Sequence, residues 1–141
     1  MTSPQQITVS TLIDAPLETV WTCWTEPEHI QQWNAASPDW HTPHATNDLR
    51  VGGTYLARME AKDKSAGFDF TGIYTEVIPH TKLAYALEDG RRVEILFEKA
   101  DNGTRLTETF DIEQLNAPDM QRSGWQAILD NFKAHTERQS L

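Results

Sequence analysis

The sequence predicts an α+β fold: a curved antiparallel sheet of about seven strands, two short helices near its start and one long helix at its end. Three observations carry this. Several segments alternate apolar and polar residues with a period of two. Asp89-Gly90 and Asn102-Gly103 sit between such segments as hairpin signals. The last apolar stripe, Trp125, Ile128, Leu129 and Phe132, has helical spacing. Hairpins this tight join antiparallel strands, because a parallel connection needs a long crossover.

The elements follow in order. Ile7, Val9, Thr11 and Ile13 alternate with Thr8, Ser10 and Leu12, which predicts a strand with one buried face. Asp14-Ala15-Pro16 ends it and opens a helix, with proline expected in the first turn and Asp14 near the positive helix end. Leu17, Val20, Trp21 and Trp24 form its apolar stripe. Thr25-Glu26-Pro27-Glu28 has the pattern of a capping box and predicts a second short helix with Ile30 and Trp33 as its apolar contacts. Asn34 to Asn47 shows little periodicity and two prolines, and reads as an irregular lid or binding loop. From Asp48 onward strands resume. They are centred on Tyr55 to Met59, Phe68 to Ile78, Leu83 to Leu87, Val93 to Phe97 and Leu106 to Ile112. Asn116 is placed to cap the final helix, with Leu115 and Met120 as a hydrophobic staple.

A chain of 141 residues without repeats, low-complexity tracts or linker-like breaks is expected to form a single domain over residues 1–141, with its core at about 6–138. The net charge of −9 argues against nucleic-acid or anionic membrane partners, which demand a basic face. The lone cysteine, Cys23, excludes an internal disulfide and a thiolate metal cluster. MTSPQQITVS has neither a basic nor an apolar leader region, and no apolar run is long enough to span a bilayer. A cytoplasmic location is expected, and Asn102-Gly103-Thr104 reads as a turn, not as a glycosylation site.

Motifs spread along the chain resemble one family. Ile13-Asp14-Ala15-Pro16 through Val20-Trp21, Trp24-Thr25-Glu26-Pro27-Glu28 through Trp33, Asp48-Leu49-Arg50-Val51-Gly52-Gly53, Phe70 to Val77, Thr104 to Thr107 and Gly124-Trp125 are similar, in order, to domains of the activator of Hsp90 ATPase homologue 1-like (AHSA1) family. This family lies within the SRPBCC, or Bet v 1/START-like, superfamily. The resemblance implies a helix-grip fold with a cavity between the long helix and the sheet. It also implies noncovalent binding of lipids, sterols or other apolar molecules, or catalysis of the cyclase type. Asn34 departs from the pattern, standing where many relatives carry a second Trp, and so implies a more polar pocket mouth.

The candidate cavity residues are Trp33, Trp40, Tyr55, Met59, Phe70, Tyr74, Tyr85, Trp125, Ile128 and Phe132. Aromatic side chains supply an apolar wall, and Tyr and Trp add polar tips. No catalytic constellation is recognised. There is no nucleophile elbow, and Val51-Gly52-Gly53-Thr54 precedes a strand, where a phosphate-binding loop would open a helix. Cys23 reads as a small buried thiol. His41 and His44, with Asp39 and Asp48 nearby, have the composition of a zinc site but not its diagnostic spacing, so no metal and no cofactor is expected. His29, His80 and His135 read as dispersed and solvated. Glu76, Glu94 and Glu108 lie in strands, and any one that turns inward leads the candidates for orienting a ligand. Gly124 costs the long helix about 1 kcal/mol relative to Ala, and so either allows close packing or leaves room for a guest. The expected function is noncovalent binding of an apolar or aromatic small molecule by a monomer or weak homodimer. The alternatives are a cyclase- or hydrolase-type enzyme using an inward carboxylate or His, and a protein that contacts a chaperone.

Overall fold

Alternating buried and exposed side chains oblige a sheet to turn one face toward something apolar, and here that face curls around a helix. The structure, a computed structural model, describes residues 5–139; the two ends of the expected domain, 1–4 and 140–141, lie outside the described residues. The chain runs β1 (Gln6–Ile13), α1 (Leu17–Thr25), α2 (Pro27–Trp33), β2 (Trp40–Asn47), β3 (Thr54–Ala61), β4 (Gly67–Ile78), β5 (Lys82–Leu87), β6 (Arg92–Ala100), β7 (Gly103–Asp111) and α3 (Pro118–Gln139). The seven strands form one antiparallel sheet in the order β1-β7-β6-β5-β4-β3-β2. The expected helix-grip architecture is therefore present.

Connectivity explains the two short helices. β1 and β2 occupy opposite edges of the sheet, so α1 and α2 must carry the chain from one edge to the other. The long helix α3 returns beside β1, held by Arg122 to the Thr8 carbonyl at 3.0 Å and by Gln126 to the Ser10 carbonyl at 3.2 Å. Between helix and sheet lies the core, with Ile13, Val20, Ile30, Leu83, Ile95, Leu106, Leu129 and Phe132 fully buried. Burying each such side chain stabilises the fold by about 1.5–3 kcal/mol before chain entropy is subtracted. Gly90, with a positive φ of 90°, makes the turn between β5 and β6 that Asp89-Gly90 predicts.

Three local expectations are corrected. The segment read as an irregular loop contains β2, an edge strand whose pairing with β3 shifts register between His41 and His44. Pro43 lies in that interval, and the bulge breaks the period-two pattern by which a strand is recognised. The capping box does not form: Glu26 occupies the N-cap of α2 without a side-chain bond, and Thr25 Oγ1 instead donates to the Trp21 carbonyl at 2.8 Å. Nor does Asn116 cap α3, because its side chain donates to Glu113 Oε1 at 2.6 Å. Leu115 and Met120 are 92% and 63% exposed and form no staple. Buried Gln121 organises this helix start: its side-chain amide accepts from the Glu113 N–H and donates to the carbonyls of Glu113 and Asn116.

Candidate functional site

Between α3 and the sheet is a partly enclosed cavity of about 160 Å³. Every layer of the fold contributes to its wall: Trp24 from α1, Trp33 and Asn34 at the end of α2, Tyr55 and Met59 from β3, Phe68 and Phe70 from β4, Tyr85 from β5, Glu108 from β7, and Trp125 and Ile128 from α3.

The aromatic walls brace one another. Trp24 and Trp33 stack at 4.8 Å between ring centroids, and the indole N–H of Trp33 donates to the Cys23 carbonyl at 2.9 Å. Phe132 stands edge-on behind both, 4.9 Å from each. Opposite them Tyr55 and Tyr85 stack at 5.7 Å, and Phe70 meets Tyr85 and Trp125 edge-on. Trp125 in turn lies flat on Phe110 at 3.9 Å. Gly72 makes room for Tyr85, since a Cβ there would come within 2.4 Å of the ring.

Polar groups converge on this apolar space. Glu108 lies on the inward face of β7 between Leu106 and Phe110, with Val9 and Ile95 as its cross-strand neighbours, and is 5% exposed. Burial alone pushes its carboxyl up to about 8, because a carboxylate loses more solvation than a neutral acid on entering an apolar site. At neutral pH Glu108 is therefore mainly a protonated acid that can donate a hydrogen bond. Tyr55 and Tyr85 lie close enough to feel its charge, and burial pushes both phenols well above their ordinary range. No hydrogen bond from another described side chain contributes to the state of any of these three groups. Asn34, 8% exposed, adds an amide to the same lining.

Of the residues expected to line a cavity, the structure brings together Trp33, Tyr55, Met59, Phe70, Tyr85, Trp125 and Ile128. Three fall outside the lining. Phe132 is fully buried behind the two tryptophans. Tyr74 points its phenol away to Asn47 Oδ1 at 2.7 Å, tying β4 to the Asn47 side chain that donates to the Thr25 carbonyl. Trp40 sits on β2, 6.2 Å from Phe68 across the outer edge. Trp24, Phe68 and Asn34 join the lining in their place. Of the three strand carboxylates whose facing is open in the sequence, Glu108 turns inward, whereas Glu76 and Glu94 lie beside Lys82 at 2.9 and 3.8 Å.

The histidines depart from expectation. His44 is exposed and His41 half-buried, and Asp48 is engaged by Arg50 at 2.9 Å. His80 is exposed beside Trp21, in line with its reading as solvated. His29 and His135, expected to be dispersed and solvated, instead meet: His29 Nδ1 and His135 Nε2 are 2.8 Å apart, and His135 is 2% exposed. Gly124 faces open space, with no neighbouring atom within 4 Å of the point where a methyl group would sit, so close packing is not its role. No helix among the described residues is long and apolar enough to cross a membrane.

Comparison with known proteins bears on these features. The profile of the family described as activator of Hsp90 ATPase homolog 1-like protein matches residues 14–137. An AHSA1-like protein from Aeromonas hydrophila, solved by NMR, is 46% identical, with a TM-score of 0.90 over 96% of this chain and 94% of that one. A protein from Cytophaga hutchinsonii is also 46% identical, with a TM-score of 0.82 over 95% and 93% of the two chains. A Staphylococcus aureus protein of unknown function, 15% identical, shares the fold with a TM-score of 0.76 over 97% and 96%. No curated protein matches the chain.

Proposed function

The chain belongs to the AHSA1-like family, and we propose that it binds, without covalent chemistry, a small molecule built on a single aromatic ring that carries a hydrogen-bond acceptor. The observation that supports this most is Glu108, a buried carboxyl with no side-chain partner among the described residues, in an otherwise aromatic cavity. A buried polar group left unpaired costs about 1–3 kcal/mol, and an acceptor on the ligand removes that cost. A mostly apolar concavity with a few convergent polar groups is also the general form of a small-molecule site.

Size narrows the ligand class. A cavity of about 150 Å³ lined by apolar side chains holds benzene, and the 160 Å³ here is comparable. Drug-sized ligands occupy about 300 Å³ or more, so a sterol or a lipid chain would require the tryptophan wall to move. The acceptor, a ketone or amide carbonyl, receives a hydrogen bond from the protonated Glu108 carboxyl, while Tyr55, Tyr85 and Asn34 offer further donors. On this reading the protein works in the cytoplasm on a neutral ligand.

Thermal-shift and calorimetric titration with acetophenone and benzamide tests the proposal. Both should bind the native protein, and Glu108→Met should weaken them about tenfold or more by removing the donor. Failure of every single-ring carbonyl compound to bind, or equal binding by Glu108→Met, would sink it.

One observation favours a second reading, an enzyme of the cyclase or hydrolase type. A carboxyl at about 8 lies near neutral pH, where a general acid or base is most effective. Recovery of the bound compound unchanged after prolonged incubation separates binding from turnover.

A further inference from the structure

Away from the cavity, on the seam where α1, α2 and α3 meet, three side chains with soft or borderline metal-ligand atoms face one another: Cys23, His29 and His135. Their Sγ and ring nitrogens all lie within 4.8 Å of one another. We propose that these three residues form a site for a single zinc-class transition-metal ion.

The donor set carries the choice of metal. One thiolate and two imidazoles suit Zn²⁺ and its neighbours, whereas Mg²⁺ and Ca²⁺ demand oxygen ligands. Tetrahedral zinc, with bonds of about 2.0–2.3 Å, places its ligand atoms about 3.3–3.8 Å apart. With ligand atoms up to 4.8 Å apart, the set must draw in by up to about 1 Å, while the two imidazole nitrogens, hydrogen-bonded at 2.8 Å, must part by about half an ångström. Three protein ligands leave a fourth position for water or a further oxygen.

A second observation points to the same spot. Thr136 is fully buried, and its Oγ1 is directed at the Cys23 thiol with no other hydrogen-bond partner among the described residues. A thiol is a weak acceptor, so this buried hydroxyl gains a stronger, charge-assisted partner when Cys23 becomes the thiolate of a loaded site. Cys23 and His135 are 1% and 2% exposed, whereas His29 is half-buried and opens toward solvent. Burial, together with neighbouring His29 and Arg138, lowers the affinity of His135 for a proton. Burial also holds the Cys23 thiol protonated without a metal, and a coordinating cation displaces that proton outright.

The test is titration of the reduced full-length protein with Co²⁺, zinc's spectroscopic stand-in. A single equivalent should bind, giving a near-ultraviolet thiolate-to-cobalt band and the visible absorption of a tetrahedral ion, both lost when Zn²⁺ displaces it. Cys23 is the chain's only cysteine, so the thiolate band reports it without any substitution. His29→Gln, at a half-buried position, should lower Co²⁺ affinity by about 100-fold or more, while His44→Gln on β2 should leave it unchanged. Absence of the thiolate band at one equivalent overturns the proposal, and so does a band that persists with unaltered affinity in His29→Gln.

Discussion

Replacing Glu108 by Gln removes one ionisable group from the floor of the cavity, and the consequence can be worked out from its position. In the unfolded chain the carboxyl has its ordinary value of 4.5, and in the folded protein burial raises it to about 8. The folded state therefore holds a proton that the unfolded state releases. The stability associated with this proton is fully present below about 4.5 and is lost as pH rises through about 8. Each pH unit in that window costs about 1.4 kcal/mol, so the full span costs about 5 kcal/mol, less to the extent that water enters the cavity. Every other titrating group is common to both proteins and cancels in the difference between them. Urea denaturation of the native protein and Glu108→Gln at pH 5.5 and 8.5 reads that difference directly. The variant should gain about 3 kcal/mol relative to the native protein between the two conditions. A difference that stays constant across the window would refute the reasoning, because Glu108 would then be solvated and the cavity would lack its defining polar group.

Three further predictions concern packing. Gly124→Ala should stabilise the protein by about 0.5–1 kcal/mol, since the added methyl meets open space on α3; a raised midpoint in thermal denaturation checks it. Gly72→Ala should destabilise by about 1–3 kcal/mol, because its Cβ would lie 2.4 Å from the Tyr85 ring and must push that ring toward the cavity; a lower urea midpoint together with loss of acetophenone binding is expected. Phe132→Ala should cost about 3–5 kcal/mol, since the fully buried ring supports both Trp24 and Trp33. In that variant tryptophan emission should shift to the red as both indoles gain freedom.

The fold is legible in the sequence because burial follows simple periods in most of the chain. The alternation Val93, Ile95, Phe97 and the stripe Trp125, Ile128, Leu129, Phe132 each specify a face. β2 is hidden because a bulge at Pro43 on an edge strand removes the alternation that identifies a strand. The start of α3 escapes for a different reason. Ser, Thr, Asn and Asp dominate capping statistics, but here the side chain of Gln121, inside the helix, satisfies the turn from three residues beyond the helix start at Pro118.

The candidate site is legible in outline. Aromatic residues on inward strand positions point to the cavity, yet periodicity cannot distinguish a wall residue from one packed behind it. Phe132 and Tyr74 fall on the far side of that distinction, and Trp24 enters the lining from a stripe that reads as core. Glu108 carries a usable signal, since its parity matches that of Leu106 and Phe110; Glu94 falls on the opposite parity to Val93 and Ile95, and the facing of Glu76 toward Lys82 leaves Glu108 as the inward carboxylate of the three. The His29–His135 contact leaves no such trace. Its partners are separated by 106 positions and meet only because α2 and α3 pack together.

The most direct test of the proposed binding function is the pH titration of the Glu108 carboxyl followed by its ¹³C chemical shift, free and with saturating acetophenone. The account predicts a free midpoint near 8 that rises further with the ligand bound, because a carbonyl acceptor binds only the protonated acid. A free midpoint near 4.5, or one that acetophenone leaves in place, would contradict it.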